Sequence, residues 1–233
     1  MNLLEIVLLL IVLLLFFRGI HDGIIRMSFG LIGLVIMIFA ISEFSPMLHE
    51  YLKDKNNVQE EIHKIADKYV SSREENARKS DSEKGKDYLV NESANEIPQF
   101  MREVLVKELE KIDIRKYSAS EVEKMTHDAL VVTVADLITK GLAVLITLIL
   151  ASVLFFIVRI LLGILGHLPI VHGVSKLLGG VMGFIEGIIV VWIILFLIQC
   201  FAPTSSINTL YQMEKNSEIL TEINDFNPLF KIF

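Results

Sequence analysis

Glu186 is the residue whose type and position point most directly to chemistry, because it is the only charged side chain in a long apolar run. It follows Leu177 by nine residues, about 13 Å along an α-helix that rises about 1.5 Å per residue. An ionisable side chain at that depth in a membrane helix usually faces a partner or a wet cavity, or is protonated. We interpret it as half of a structural ion pair; a proton- or ion-coupling site and a position nearer the headgroups are the alternatives. Three arginines are expected on the same side of the membrane and could pair with it: Arg18, Arg26 and Arg159.

The other side chains with catalytic or metal-binding potential do not form a recognised pattern. His63 and Asp67 are one helical turn apart, and His167 and His172 share a short segment, but neither set has the spacing of a metal site. The single Cys200 excludes an internal disulfide and a multi-cysteine metal site. No phosphate-binding loop, nucleophile elbow or dinucleotide fingerprint occurs. The sequence therefore predicts no enzyme, no metal and no cofactor.

The apolar run around Glu186 covers residues 177–198, enough for about 33 Å of helix and for a crossing of a hydrocarbon core of about 30 Å. Glycines recur at every fourth residue in its first half, on one face of the helix. In lipid, such a face lets another backbone approach closely, so it predicts helix packing. A second ladder of small residues at the same spacing lies upstream and is the expected mate. The two ladders are Gly179, Gly183 and Gly187, and Ala143, Thr147 and Ala151.

Three further apolar runs predict spans at residues 3–17, 24–41 and 142–165. The first run has Glu5 where a signal peptide needs positive charge, so we expect it to be an uncleaved helix. Together with residues 177–198, these runs predict an all-α membrane protein built on a four-helix transmembrane bundle. The composition, 53% hydrophobic residues, agrees with a membrane protein rather than a typical soluble domain.

The segment between the first two spans allows two conformations. Arg18, Asp22 and Arg26 are four residues apart and would form a ladder of opposite charges on a continuous helix. Gly19 and Gly23 have the same spacing and could instead form the tight turn of a helical hairpin. In either conformation we interpret the two arginines as anchors for lipid phosphates. The link between the last two spans is broken by a proline, Pro169.

Residues 43–140 form a charged middle with 16 Lys and Arg against 21 Asp and Glu, and they predict a partly flexible helical region outside the membrane. Pro46 is expected to start a new helix, and Ala119 to open one that runs into the third span. Residues 58–70 and 96–112 have helical apolar stripes, while residues 71–91 are a solvated linker or a frayed helix continuation. No basic stripe stands out, so a nucleic-acid partner is not expected. Residues 200–233 form a short amphipathic tail whose end should dock on the charged region or the membrane surface.

The orientation follows from the positive charges of the two short connections. These carry Arg18, Arg26, Arg159 and Lys176, which places them in the cytoplasm by the positive-inside rule. Both termini and residues 43–140 would then face outward. The bilayer is the expected partner, together with proteins of the membrane or envelope or a second copy of the chain.

Two stretches carry a resemblance to a known family. The first is Arg18 and Gly19 after an apolar run, with Arg26 a little later; the second is PIVHGVSKLLGGVMGFIEGIIVV at the head of the last span. In these pieces the chain resembles the colicin V production protein (CvpA) family. The charged insertion is longer than in short members, and Glu186 stands where some members have a basic residue.

The resemblance implies a multi-pass inner-membrane protein linked to colicin V or toxin production or export and to envelope function. We expect a non-enzymatic accessory or scaffold factor. The alternative is a small channel or secondary transporter that uses Glu186 and the membrane arginines.

Overall fold

The computed structural model describes residues 2–80, 119–165 and 174–231, and all regular secondary structure within these ranges is helical. The predicted all-α membrane fold is confirmed. The elements are α1 (Leu3–Lys53), α2 (Asn56–Ser80), α3 (Ala119–Leu165), α4 (Val174–Cys200), α5 (Ser205–Lys215), α6 (Glu218–Asp225) and a 3-10 turn (Pro228–Lys231).

The first helix is a hairpin that reverses at Gly23, where the backbone has φ 74° and ψ 172°. Before this residue, Val12 lies against Gly187 and Gly19 lies against Gly179, so the first arm runs antiparallel to α4. After it, Gly30 lies against Glu186, so the second arm runs parallel to α4. Of the two conformations that the sequence allowed, the structure has the helical hairpin.

Among the described residues, four helical segments are long and apolar enough to cross a membrane, by length and composition: Leu3–Ile24, Met27–Lys53, Lys124–Ile157 and Lys176–Cys200. Gly141 lies against Cys200, and Gly33 lies against the Phe155 ring, so α3 runs antiparallel to both α4 and the second arm of α1. The spans therefore alternate in direction. Within the described residues, the first turn of α1, α2 and the C-terminal helices lie at one end of the bundle, and the reversal at Gly23 lies at the other.

Two of the spanning helices continue beyond the bundle and form a cap with α2. The second arm of α1 runs through Pro46 to Lys53, so the expectation that this proline starts a new helix is wrong. A proline within a helix removes one backbone hydrogen bond, and the burial of Ile41 and Leu52 on either side of it outweighs that loss. α2 continues to Ser80 and so covers the first ten residues of the predicted linker; residues 81–118, with the expected helix at 96–112, lie outside the described ranges.

An apolar core joins the cap to the bundle. It contains side chains of α2, the upper half of α3, the second arm of α1 and the end of α4, so cap and bundle share one buried cluster. Its members include Ile41, Ile62, Ala66, Val70, Leu130, Val134, Leu137, Phe196 and Cys200.

The C-terminal tail folds back onto the end of α4 and the start of α1. The Trp192 indole Nε1 donates a hydrogen bond to the Ile223 carbonyl oxygen at 3.0 Å, and Asn227 Nδ2 donates to the Trp192 carbonyl oxygen at 2.9 Å. Asn2 Nδ2 donates to the Met213 carbonyl oxygen at 2.6 Å, which ties the first turn of the chain to α5. The tail therefore packs against the last two turns of α4.

The conformation of Gly23 predicts a specific cost for a side chain at the hairpin reversal. Its φ and ψ lie in a region that is almost restricted to glycine, so Gly23→Ala should destabilise the fold by about 1–3 kcal/mol. Thermal unfolding of the detergent-solubilised protein measures this as a lowered midpoint. Gly30→Ala is the matched control, because the added methyl group would meet only the movable Glu186 carboxylate, at 3.2 Å. Equal midpoints for the two variants would contradict the assignment of Gly23 as the reversal.

Candidate functional site

The centre of the bundle is a seam where the glycine face of α4 meets the first arm of α1. A methyl group at Gly183 would overlap the Leu15 carbonyl oxygen, and one at Gly19 would overlap the Gly179 carbonyl oxygen. One at Gly187 would lie 3.0 Å from the Val12 Cα. The two backbones are therefore in direct contact over about two turns, an approach that only glycine permits.

The mate of the glycine face is the first span, so the expectation that it packs on the small residues of α3 is wrong. Ala143 and Thr147 are buried and Ala151 is half-buried, but α3 lies beside the second arm of α1, as the contact between Phe155 and Gly33 shows. The Thr147 hydroxyl donates to the Ala143 carbonyl oxygen at 2.8 Å, so its polar atom is satisfied within α3. The sequence feature that marks the first span as the partner of α4 is Gly19, whose spacing from Gly23 by itself indicates only a turn.

The two candidate turn glycines have different roles in the structure. Gly23 forms the reversal, whereas Gly19 is helical and belongs to the seam. Pro169 lies outside the described residues.

The predicted charge ladder at the hairpin is divided by the turn. Arg18 Nε and Asp22 Oδ2 are 3.5 Å apart within the first arm, and His21 Nδ1 is 3.1 Å from Asp22 Oδ1. Arg26 follows Gly23 and belongs to the second arm, so the three charged residues do not share one continuous helical face. The Arg18–Asp22 pair lies at the end of the bundle, which agrees with a position at a membrane surface.

Glu186 is half-buried and lies against the second arm of α1, away from both ends of its span. Its carboxylate occupies the space beside Gly30, where a methyl group would lie 3.2 Å from Oε2. It follows Gly179, which marks the level of the hairpin reversal, by seven residues or about 10 Å of helix. Phe155 of α3 lies against Gly33, and α3 runs antiparallel to the second arm of α1. Arg159, one turn further along α3, is therefore at about the level of Gly30 and Glu186. The pairing of Glu186 with an arginine remains a prediction.

A polar cluster that sequence reasoning did not find fixes the cap to the bundle. Three basic side chains contact the Asp136 carboxylate of α3: Lys53 Nζ at 2.6 Å, His49 Nε2 at 3.1 Å and Lys140 Nζ at 3.1 Å. The available signal was the spacing of four residues within each helix, His49 to Lys53 and Asp136 to Lys140, which places each pair on one face. The cluster locks the extension of α1 to α3.

A second polar cluster lies where the tail meets the bundle. The Glu214 side chain is 3% exposed; its Oε1 accepts a hydrogen bond from Gln199 Nε2 at 2.6 Å. Its Oε2 has no hydrogen-bond partner among the described residues. Burial raises the pKa of Glu214 from the ordinary 4.5 to about 7, with the Gln199 hydrogen bond acting in the opposite direction. No sequence pattern marks this pair, because the tail must fold back to form it.

Within the described residues, no group of three or more His, Cys, Asp or Glu side chains could hold a metal ion. What the site can provide is a closely packed intramembrane seam, an acidic side chain inside the bundle and a cap held by polar contacts.

Comparison with known proteins gives one family match. The family model described as colicin V production protein matches residues 115–228, a segment that contains α3, α4, α5 and α6. It includes the PIVHGVSKLLGGVMGFIEGIIVV stretch but not Arg18 and Gly19. No curated protein and no solved structure matches the chain.

The backbone contact at the seam predicts that one methyl group added there should weaken the packing of the two spans. Gly183→Ala should lower the thermal unfolding midpoint in detergent, with a cost of about 1–3 kcal/mol from overpacking against the Leu15 backbone. Ile185→Ala, at a position 40% exposed on the same helix, should change the midpoint far less. A Gly183→Ala protein as stable as the Ile185→Ala control would contradict the direct backbone contact.

The raised pKa of Glu214 predicts that tail docking weakens as pH rises. The docked state binds a proton more tightly than the released state, so its stability is full below pH 4.5 and falls as pH rises through about 7. The loss is about 3 kcal/mol, since one pKa unit corresponds to about 1.4 kcal/mol. Emission from Trp192, the only tryptophan, reports release because its indole N–H binds the tail.

Matched variants separate this effect from general pH sensitivity. Glu214→Gln should remove the pH dependence of the Trp192 emission, and Glu218→Gln, at an exposed neighbouring position, should retain it. The assignment to Glu214 fails if both variants titrate like the unmodified chain.

Proposed function

Because the chain belongs to the colicin V production protein family, we propose that it is a non-enzymatic accessory or scaffold factor of the bacterial inner membrane. In this role it would act in colicin V or toxin production or export and in envelope function, with its partners in the membrane or envelope. The short connections would lie in the cytoplasm, and the termini and the cap on the exterior side.

The observation that carries the proposal is the continuity of the helices from the membrane into the cap. The second arm of α1 runs unbroken from the Gly23 reversal to Lys53, and α3 runs unbroken from Ala119 to Leu165. A shared apolar core and the Asp136 cluster fix these extensions to each other. A cap held this firmly presents one fixed surface above the bilayer, as a scaffold requires.

A small channel or secondary transporter is the second candidate, and the position of Glu186 favours it. Its carboxylate lies inside the bundle beside Gly30 rather than at either end of the spans. Ionisable residues in such positions commonly mark ion or proton pathways. In this reading, the absence of a side chain at Gly30 provides the space in which the carboxylate could exchange ions or protons.

One pair of measurements separates the two candidates. A photo-crosslinking residue in place of Val132, which is 58% exposed on the half of α3 that packs on α2, should capture a defined membrane or envelope protein in native membranes. The same residue in place of Leu150, 64% exposed on the membrane-spanning part of α3, is the matched control and should capture mainly lipid. The purified chain in liposomes should conduct no ions, and Glu186→Gln should leave the crosslinks unchanged.

The transporter candidate makes the opposite prediction. Ion or proton flux in liposomes that disappears in Glu186→Gln, without a specific crosslink at position 132, would overturn the scaffold proposal.

A further inference from the structure

The surface of α6 is divided into three sectors with different chemistry. Leu220 is 2% exposed and points into the contact with the bundle. Ile219 of α6 and Phe226, the residue that ends this helix, are 57% and 72% exposed; at seven residues apart they lie on the same side. The remaining sector is acidic and exposed, and consists of Glu218, Glu222 and Asp225. An apolar sector between a buried face and a charged face is typical of a helix that lies in a membrane interface.

The depth of α6 follows from its contacts with α4. Trp192 binds the tail at both its indole N–H and its carbonyl group, so the tail reaches the level of Trp192, eight residues before the end of α4. The N-terminal turn adds polar groups to the same layer. Register along the seam places Glu5, seven residues before Val12, within one turn of Trp192. Glu5 Oε2 accepts a hydrogen bond from the Asn2 backbone N–H at 2.8 Å, and Glu5 also hydrogen-bonds Ser217.

This polar layer marks where the hydrocarbon ends on the tail side of the bundle. From Gly179, level with the hairpin reversal, to Trp192 is 13 residues, or about 20 Å of helix. A typical hydrocarbon core is about 30 Å thick, so an interface at α6 requires the headgroups on this side to lie closer to the bilayer midplane, as in local thinning of the bilayer. Tryptophan is enriched at that boundary, where its ring is in apolar surroundings and its N–H finds a polar partner.

We propose that α6 is an interfacial lipid-binding helix, which lies in the headgroup layer beside α4 with Ile219 and Phe226 among the acyl chains. Its acidic sector faces water, and the three carboxylates favour zwitterionic over anionic headgroups. Ser217, the N-cap of α6, hydrogen-bonds Glu5 in the first span, beside the exposed side chains of Leu3 and Ile6. The lipid that surrounds this span therefore also reaches the apolar sector, which favours lipid over a second protein chain as its cover. The tail thus sets the depth of the protein in the bilayer, a role that does not depend on the scaffold proposal.

Site-specific fluorescent labels in phosphatidylcholine vesicles test this assignment. An environment-sensitive label is attached to Phe226→Cys and, as the water-facing control, to Glu222→Cys; the native Cys200 is buried. Label on the unsubstituted chain measures the background. Leu13→Cys, 43% exposed in the middle of the first span, is the depth control. Each is exposed to nitroxide lipids labelled near the headgroup or deep in the chain, and separately to aqueous iodide.

The label at position 226 should be quenched several-fold more by the shallow nitroxide than by the deep one, and should be protected from iodide relative to position 222. The label at position 13 should respond most to the deep nitroxide. Iodide access at 226 equal to that at 222 would show a water-facing tail and overturn the proposal. Protection from both iodide and nitroxide lipids would show that a protein partner covers this face, and would overturn it equally. All three substitutions are at exposed positions, and the Trp192 emission of each variant verifies that the tail remains docked.

Discussion

Direct backbone contact between the glycine face of α4 and the first arm of α1 determines how the other spans are placed. Lipid supplies no hydrophobic drive between helices, so their association depends on close packing and on interhelical polar contacts. At Gly183 and Gly19 even a methyl group would overlap a carbonyl oxygen of the opposite helix. The hairpin reversal at Gly23 then brings the second arm of α1 alongside α4, and this arm becomes the surface on which α3 packs.

Most polar side chains with defined partners lie towards the ends of the bundle, where their partners offset the cost of burial. Asp136, with its three basic partners, connects the end of α1 to α3. Glu214 is more costly, because it is nearly fully buried and only one of its oxygens has a hydrogen-bond partner among the described residues. Protonation relieves that cost, and tail docking is consequently coupled to pH.

Glu186 differs from these clusters because it lies well inside the span. Gly30 provides space for its carboxylate, so the same small-residue packing that brings helices together also accommodates a charged group. This geometry is compatible with a structural ion pair in a scaffold and with a coupling site in a transporter. The continuous helices between bundle and cap favour the scaffold, since they hold the cap in one position relative to the membrane.

The sequence alone determined that four apolar runs form helical spans, that Gly179, Gly183 and Gly187 form a packing face, and that residues 58–70 are helical. These properties depend on the length of an apolar run and on residue spacing, both of which are contained within a single helix. Only the tertiary structure decided that the glycine face contacts the first span and that α1 continues through Pro46. It also decided that the tail hydrogen-bonds Trp192 and buries Glu214. These features depend on contacts between residues far apart in the chain, where the packing free energy of the whole bundle outweighs the local preference of any one residue.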